Sequence, residues 1–128
     1  NSCRLVQGLM AKLLNENSEQ LLQERNHLIN VISERAHILR KELESLTDPV
    51  VQPDPFNAGL FALLNIQGIS ASKFADHLLR HYGIGTVAFE NKERGINGIR
   101  ITFGSVIKED IPKVVECIGK TIKDMSQK

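Results

Sequence analysis

A long apolar stripe cut off by prolines constrains this chain more than any other feature. Leu21, Leu22, Leu28, Ile29, Ile32, Ala36, Leu39, Leu43 and Leu46 recur at helical spacing with charged residues on the other side, and the pattern stops at Asp48-Pro49. At about 1.5 Å of rise per residue such a helix is roughly 40 Å long. That is more than the small remainder of the 128-residue chain can cover. Part of the stripe is therefore expected to meet a second copy, a coiled-coil partner or a missing domain. Ahead of it, Leu5, Val6, Leu9, Met10, Leu13 and Leu14 mark a first amphipathic helix. Asn15 to Ser18 break the pattern, with Asn17 or Ser18 placed to accept from the free amides of the next helix. Pro49 and Pro53-Asp54-Pro55 make a stiff, extended connector, the one clear internal boundary. The expected division is a helical segment over 1–47, a connector over 48–57 and a small domain over 58–128.

Beyond the connector the elements shorten. The apolar run Ala58 to Leu64 predicts a buried strand in which Gly59 permits close approach of another group, and Asn65 to Gly68 turn the chain. Ser70 or Ser72 can cap a helix striped by Phe74, Leu78 and Leu79 and closed by Gly83. Ile84 to Phe89 predicts a second strand. A polar loop, Glu90 to Asn97, carries Gly95 and the turn signal Asn97-Gly98. Gly98-Ile99-Arg100-Ile101-Thr102-Phe103 is a third strand, and Glu109 to Met125 a closing helix striped by Ile111, Val114, Val115, Ile118 and Ile122, with Pro112 in its first turn. The fold class is α/β in the α+β sense. Two N-terminal helices precede a strand-helix-strand-strand-helix unit, a three-stranded sheet covered by helices.

Alternation in the third strand puts Ile99, Ile101 and Phe103 on one face and Arg100 and Thr102 on the other. A planar, permanently charged guanidinium on a rigid strand can hold a carboxylate or phosphate by two parallel hydrogen bonds. On the strand alone, a solvated arginine paired to a neighbour explains the pattern as well. The other candidates have plainer readings. Ser70-Ala71-Ser72-Lys73 has S-x-x-K spacing without the companion triplets of that chemistry, and reads as a helix cap. His77 and His81 stand four apart without an H-E-x-x-H pattern or a third ligand, so no metal is expected. His27 and His37 lie on the long helix. Gly83-Ile84-Gly85 is too short for a dinucleotide fingerprint and precedes a strand.

Sixteen basic against fifteen acidic residues, a net charge of +1, give no support to a nucleic-acid or anionic-membrane partner. No apolar run is long enough to span a bilayer. Cys3 and Cys117 have no metal-ligand spacing and suit a reducing compartment, so a cytoplasmic location is expected. A start without methionine, directly on a helical pattern, fits a fragment of something longer.

Taken in order, Pro55-Phe56-Asn57-Ala58-Gly59-Leu60-Phe61, the helix with Phe74, Leu78 and Leu79, the strand to Phe89, the Arg100 strand and the closing helix with Val114, Val115 and Ile118 resemble a known arrangement. It is the C-terminal small domain of the fold-type I, pyridoxal-phosphate-dependent aminotransferases of class I/II. The two N-terminal helices are similar to those leading into that domain. The resemblance implies that Arg100 binds the α-carboxylate of an amino-acid or keto-acid substrate and that the domain helps to close the active site. The loop Glu90-Asn91-Lys92-Glu93-Arg94-Gly95 departs from the family's Pro-Gly and Phe-Gly pattern. No segment resembles the cofactor lysine, its aspartate partner or the phosphate-binding residues. The resemblance thus implies pyridoxal phosphate in a parent enzyme and none bound to this fragment, which would be inert alone. Its partners would be the large domain and the second subunit of a homodimer. A non-catalytic helical dimerisation or effector-binding module is the alternative.

Overall fold

In the computed structural model, which describes residues 3–46 and 48–126, the N-terminal pattern forms α1 (Arg4–Glu16) and α2 (Ser18–Ser45). Asn17 joins them by its backbone: its carbonyl accepts from Leu21 N at 2.9 Å, and its side-chain amide donates back to Leu13 O. It thus closes α1, and no side-chain cap of α2 by Asn17 is formed. The chain divides into two compact units, one ending at Ser33 and one from Glu34 onward.

In the first unit α1 buries no residue, and Leu5, Val6, Leu9, Met10, Leu13, Leu14, Leu22, Leu28 and Ile29 are all exposed. Most of the apolar stripe expected to need a partner is uncovered in this unit, Leu21 and Ile32 being half-buried. The last turns of α2 belong to the second unit and behave differently: Leu39 and Leu43 are buried in its core.

The second unit is built on an antiparallel sheet of β1 (Val51–Pro53), β2 (Phe61–Ile66), β4 (Ile96–Thr102) and β3 (Val87–Asn91), in that spatial order. Helices α3 (Ala71–Tyr82) and α4 (Ile111–Ser126), the latter preceded by a 3-10 turn at Lys108–Asp110, complete the expected strand-helix-strand-strand-helix order. The sheet carries one strand more than the sequence predicts. Val51 to Pro53 pair with Leu64 to Ile66 from within the connector. A proline is compatible with pairing there because β1 is an edge strand, where a missing N–H leaves no central ladder bond unmade.

The opening strand starts later than predicted. Gly59 adopts φ +85°, which an extended strand cannot include, so β2 begins at Phe61. Nor is it buried on both faces: Ala62, Leu64 and Ile66 are buried while Phe61 is exposed, the signature of an antiparallel sheet covered on one side. The Asn97-Gly98 pair, predicted as a turn, lies inside β4. The β3–β4 turn falls at residues 92–95, where Gly95 takes φ +65°. Gly98 is needed for a different reason: a Cβ there would sit 2.7 Å from the Leu64 carbonyl oxygen on the neighbouring strand.

Helix α3 has the predicted limits. Ser70 Oγ accepts from Lys73 N, and Gly83 closes the helix at φ +69°, its N–H donating to Leu79 O. Phe74, Leu78, Ile99, Phe103, Ile111 and Ile118 fill the layer between helices and sheet. Thr121 in α4 is fully buried, and its hydroxyl has no hydrogen-bond partner among the described residues. Thr121→Val, which keeps the shape and removes the orphan hydroxyl, is expected to raise stability by about 1 kcal/mol, read as a higher urea midpoint at unchanged slope.

Candidate functional site

The covered face of the sheet is core, so any chemistry the sheet presents lies on the open face. In β4, burial alternates as expected: Ile99, Ile101 and the following Phe103 point into the core, while Arg100 and Thr102 do not. Arg100 stands in the middle of that open face, in register with Leu63 of β2 on one side and Val87 of β3 on the other. Two rings approach it from the diagonal positions. Its Cζ lies 4.4 Å from the Phe61 ring centroid and 5.5 Å from that of Phe89, both within cation–π range. Gly98, opposite Phe89, contributes no side chain to fill the space between that ring and the arginine.

Among the described residues Arg100 has no hydrogen-bond or ion-pair partner. Three other arginines of the second unit are engaged: Arg35 donates to Gly104 O, Arg40 to Phe56 O at 2.9 Å, and Arg80 pairs with Asp76 at 2.8 Å, whereas the Arg94 side chain in the β3–β4 turn, like that of Arg100, has no hydrogen-bond or ion-pair partner among the described residues. The neighbouring polar side chains on the open face are committed as well. Thr102 Oγ1 donates to Leu60 O at 3.2 Å, and the Asn65 amide donates to Asp54. Stacking uses the flat faces of a guanidinium and leaves its in-plane N–H groups free. The arrangement is a cation flanked by two rings, with no hydrogen-bonded or ionic partner among the described residues.

The remaining candidates serve the fold. Glu90 binds the start of α3, accepting from Ser70 Oγ at 2.6 Å and Ser72 N at 2.7 Å, so the Ser70-Ala71-Ser72-Lys73 segment is a capped helix start. The Ser70 hydroxyl, and then the Ser72 amide, lower the Glu90 carboxyl below its usual range. His77 Nε2 lies 3.1 Å from Asp124, whose carboxylate also accepts from Tyr82 OH at 2.7 Å, and the His77 and His81 rings stack at 4.1 Å. The Tyr82 hydroxyl first, and His77 second, lower Asp124. No group of three or more His, Cys, Asp or Glu among the described residues is placed to hold a metal ion. His27 and His37 are exposed on α2, Cys3 is exposed and Cys117 is buried.

Both carboxylates carry lowered values in the folded chain. Their stabilising contribution is therefore present above the ordinary carboxylate pKa and is lost as pH falls through the lowered folded values. Glu90→Gln is expected to lower the urea midpoint in the neutral region, where the ionised carboxylate contributes, and to flatten the acid limb, so that the two proteins converge as pH falls.

Two features escape a reading of the sequence. The pairing of Phe61 and Phe89 with Arg100 depends on strand register. Asn97, read as a turn residue, is a clamp: its Nδ2 donates to Ile66 O and Ile69 O, both at 2.7 Å, and its Oδ1 accepts from Ala71 N at 2.9 Å. A separate cleft of about 360 Å³ between the end of α2 and the connector is lined by Arg40, Leu43, Glu44, Pro53 and Phe56 among others. Arg100 does not line it.

The sequence matches no protein-family model and no curated protein. The fold has clear counterparts. A multiple substrate aminotransferase from Thermococcus profundus superposes with a TM-score of 0.76 at 20% identity, over 91% of this chain and 29% of that one. The alpha-aminoadipate aminotransferase from Thermus thermophilus gives 0.72 at 20% identity, over 93% and 31%. An archaeal alanine:glyoxylate aminotransferase gives 0.70 at 27% identity, over 85% and 28%. This chain has the fold of one part of these aminotransferases and spans less than a third of their length.

Proposed function

We propose that this chain, whose fold is that of part of a fold-type I, pyridoxal-phosphate-dependent aminotransferase, is the C-terminal small domain of such an enzyme. In this reading Arg100 binds the α-carboxylate of the amino-acid or keto-acid substrate, and the domain helps to close the active site. The observation that carries it is the state of Arg100: central on an open sheet face, stacked on Phe61 and Phe89, and without a partner among the described residues. A fork fixed in this way orients a carboxylate at little entropic cost while bonds change elsewhere.

The cofactor itself does not fit the groups on this face. Pyridoxal phosphate needs an amine to hold its carbon, an acid beside its ring nitrogen and a cradle for its phosphate. The side chains in register around Arg100 are Phe61, Leu63, Val87, Phe89 and Thr102, none of which supplies them. The proposal therefore assigns the cofactor to other parts of a parent enzyme, and makes the chain inert alone. The exposed leucines of α1 and of the first half of α2 are assigned to the large domain and the second subunit of a homodimer. Those same uncovered faces favour the second reading, a non-catalytic helical dimerisation or effector-binding module.

The visible absorption of the parent protein separates the two. The enzyme reading expects a cofactor band that changes on adding at least one amino acid from a panel. A parent that shows no band with added pyridoxal phosphate returns the chain to the interaction module.

A further inference from the structure

Given that Arg100 anchors a carboxylate, the groups around it also say which carboxylates fit, and this inference rests on that reading. The positions in register beside the arginine on the open face are Leu63 and Val87 directly across and Phe61 and Phe89 on the diagonals. Phe61, Val87 and Phe89 are exposed, so apolar surface surrounds the unpartnered guanidinium. The polar neighbours, Thr102 and Asn65, are already bonded to Leu60 O and Asp54. A second carboxylate on the same ligand would need a second cation a few ångströms away. No lysine or other arginine occupies those positions. Arg94, in the β3–β4 turn, lies beyond the end of the ladder at the Asn91–Ile96 pair, roughly 15 Å along the strands from Arg100 at about 3.3 Å per residue.

We propose that the open face around Arg100 takes carboxylates with an apolar body, aromatic or branched aliphatic, in preference to dicarboxylates. The carboxylate lies in the guanidinium plane, where the donors are free. The body of the ligand then lies against Phe61, Phe89 and Val87, removing apolar surface from water on both sides. A dicarboxylate of similar length would press its second charge onto the same apolar rim, where its desolvation is uncompensated.

The test uses this chain, labelled for NMR, titrated with acetate, 3-phenylpropionate and glutarate while the Arg100 Nε–Hε signal and the Phe61 and Phe89 ring signals are followed. The proposal expects 3-phenylpropionate to bind at least about tenfold more tightly than acetate, the factor that burial of part of a ring gives, with glutarate gaining no such factor. Arg100→Gln, checked for an unchanged amide spectrum elsewhere, is expected to abolish the response, and Phe89→Leu to reduce the preference. Equal binding of all three acids at Arg100 would overturn the preference and leave the carboxylate anchor standing. Tighter binding of glutarate would overturn it in favour of a second cation. Binding of 3-phenylpropionate that survives Arg100→Gln would show only apolar adhesion and overturn the proposal. No shift of Arg100 with any acid would overturn the anchor and the preference together.

Discussion

Replacing Asn97 with aspartate, nearly the same shape, is expected to destabilise the chain by roughly 2–4 kcal/mol, since two buried-side donors are lost and a charge is set against two carbonyls. The Asn97 amide donates to Ile66 O and Ile69 O, at the end of β2 and in the turn that follows it, and its oxygen accepts from Ala71 N at the start of α3. One side chain on β4 thus holds the whole passage from strand to helix. Aspartate can still accept from Ala71, and the start of a helix favours its charge, but it cannot donate. Protonation restores one donor, so the deficit relative to wild type is expected to shrink as pH falls toward the aspartate pKa. Urea unfolding at several pH values measures both effects. A change of under about 0.5 kcal/mol, the size of an ordinary surface substitution, would show that the clamp contributes little.

The second large effect lies in function. Arg100→Gln in the parent enzyme is expected to lower kcat/KM for transamination by about 100-fold to 1000-fold, the loss of a charge-assisted, two-point contact with the substrate carboxylate. Glutamine keeps a donor and much of the length, so the fold of β4 is preserved; the residue is half-buried on the open face of the sheet. Arg100→Lys is expected to recover only part of the loss, because an ammonium keeps the charge but cannot present two parallel N–H groups. Stability of this chain, by contrast, should change little, the contact with Phe61 and Phe89 being worth about 1 kcal/mol at a half-exposed site.

The elements of the second unit were largely legible in sequence because local signals specify them. Ser70 and Gly83 bracket α3 by capping chemistry that acts within one turn, and the alternation of Ile99, Arg100, Ile101 and Thr102 assigns faces without knowledge of the neighbours. Arg100 could be singled out for the same reason. What the sequence hides is register. Phe61 and Phe89 lie 39 and 11 residues from Arg100 in the chain, and only the pairings Leu63–Arg100 and Val87–Arg100 bring their rings to it. The short edge strand Val51–Pro53 is concealed by its proline, which is a reliable breaker in a central strand and a tolerated one at an edge. Asn97-Gly98 misleads because the same two residues suit a tight turn and a strand that must approach Leu64 closely. The exposed apolar faces of α1 and early α2 were foreseeable from length alone: too much stripe for too little chain.

Arg100 as the substrate-carboxylate anchor of a pyridoxal-phosphate enzyme is the central claim. Its most direct test is to titrate the cofactor absorption of the parent enzyme with its amino acid, in wild type and in Arg100→Gln. The claim predicts the same band in both proteins before amino acid is added, and a half-saturating concentration about 100-fold higher in the variant. Identical titrations would remove Arg100 from the substrate site and leave it a stacked surface arginine.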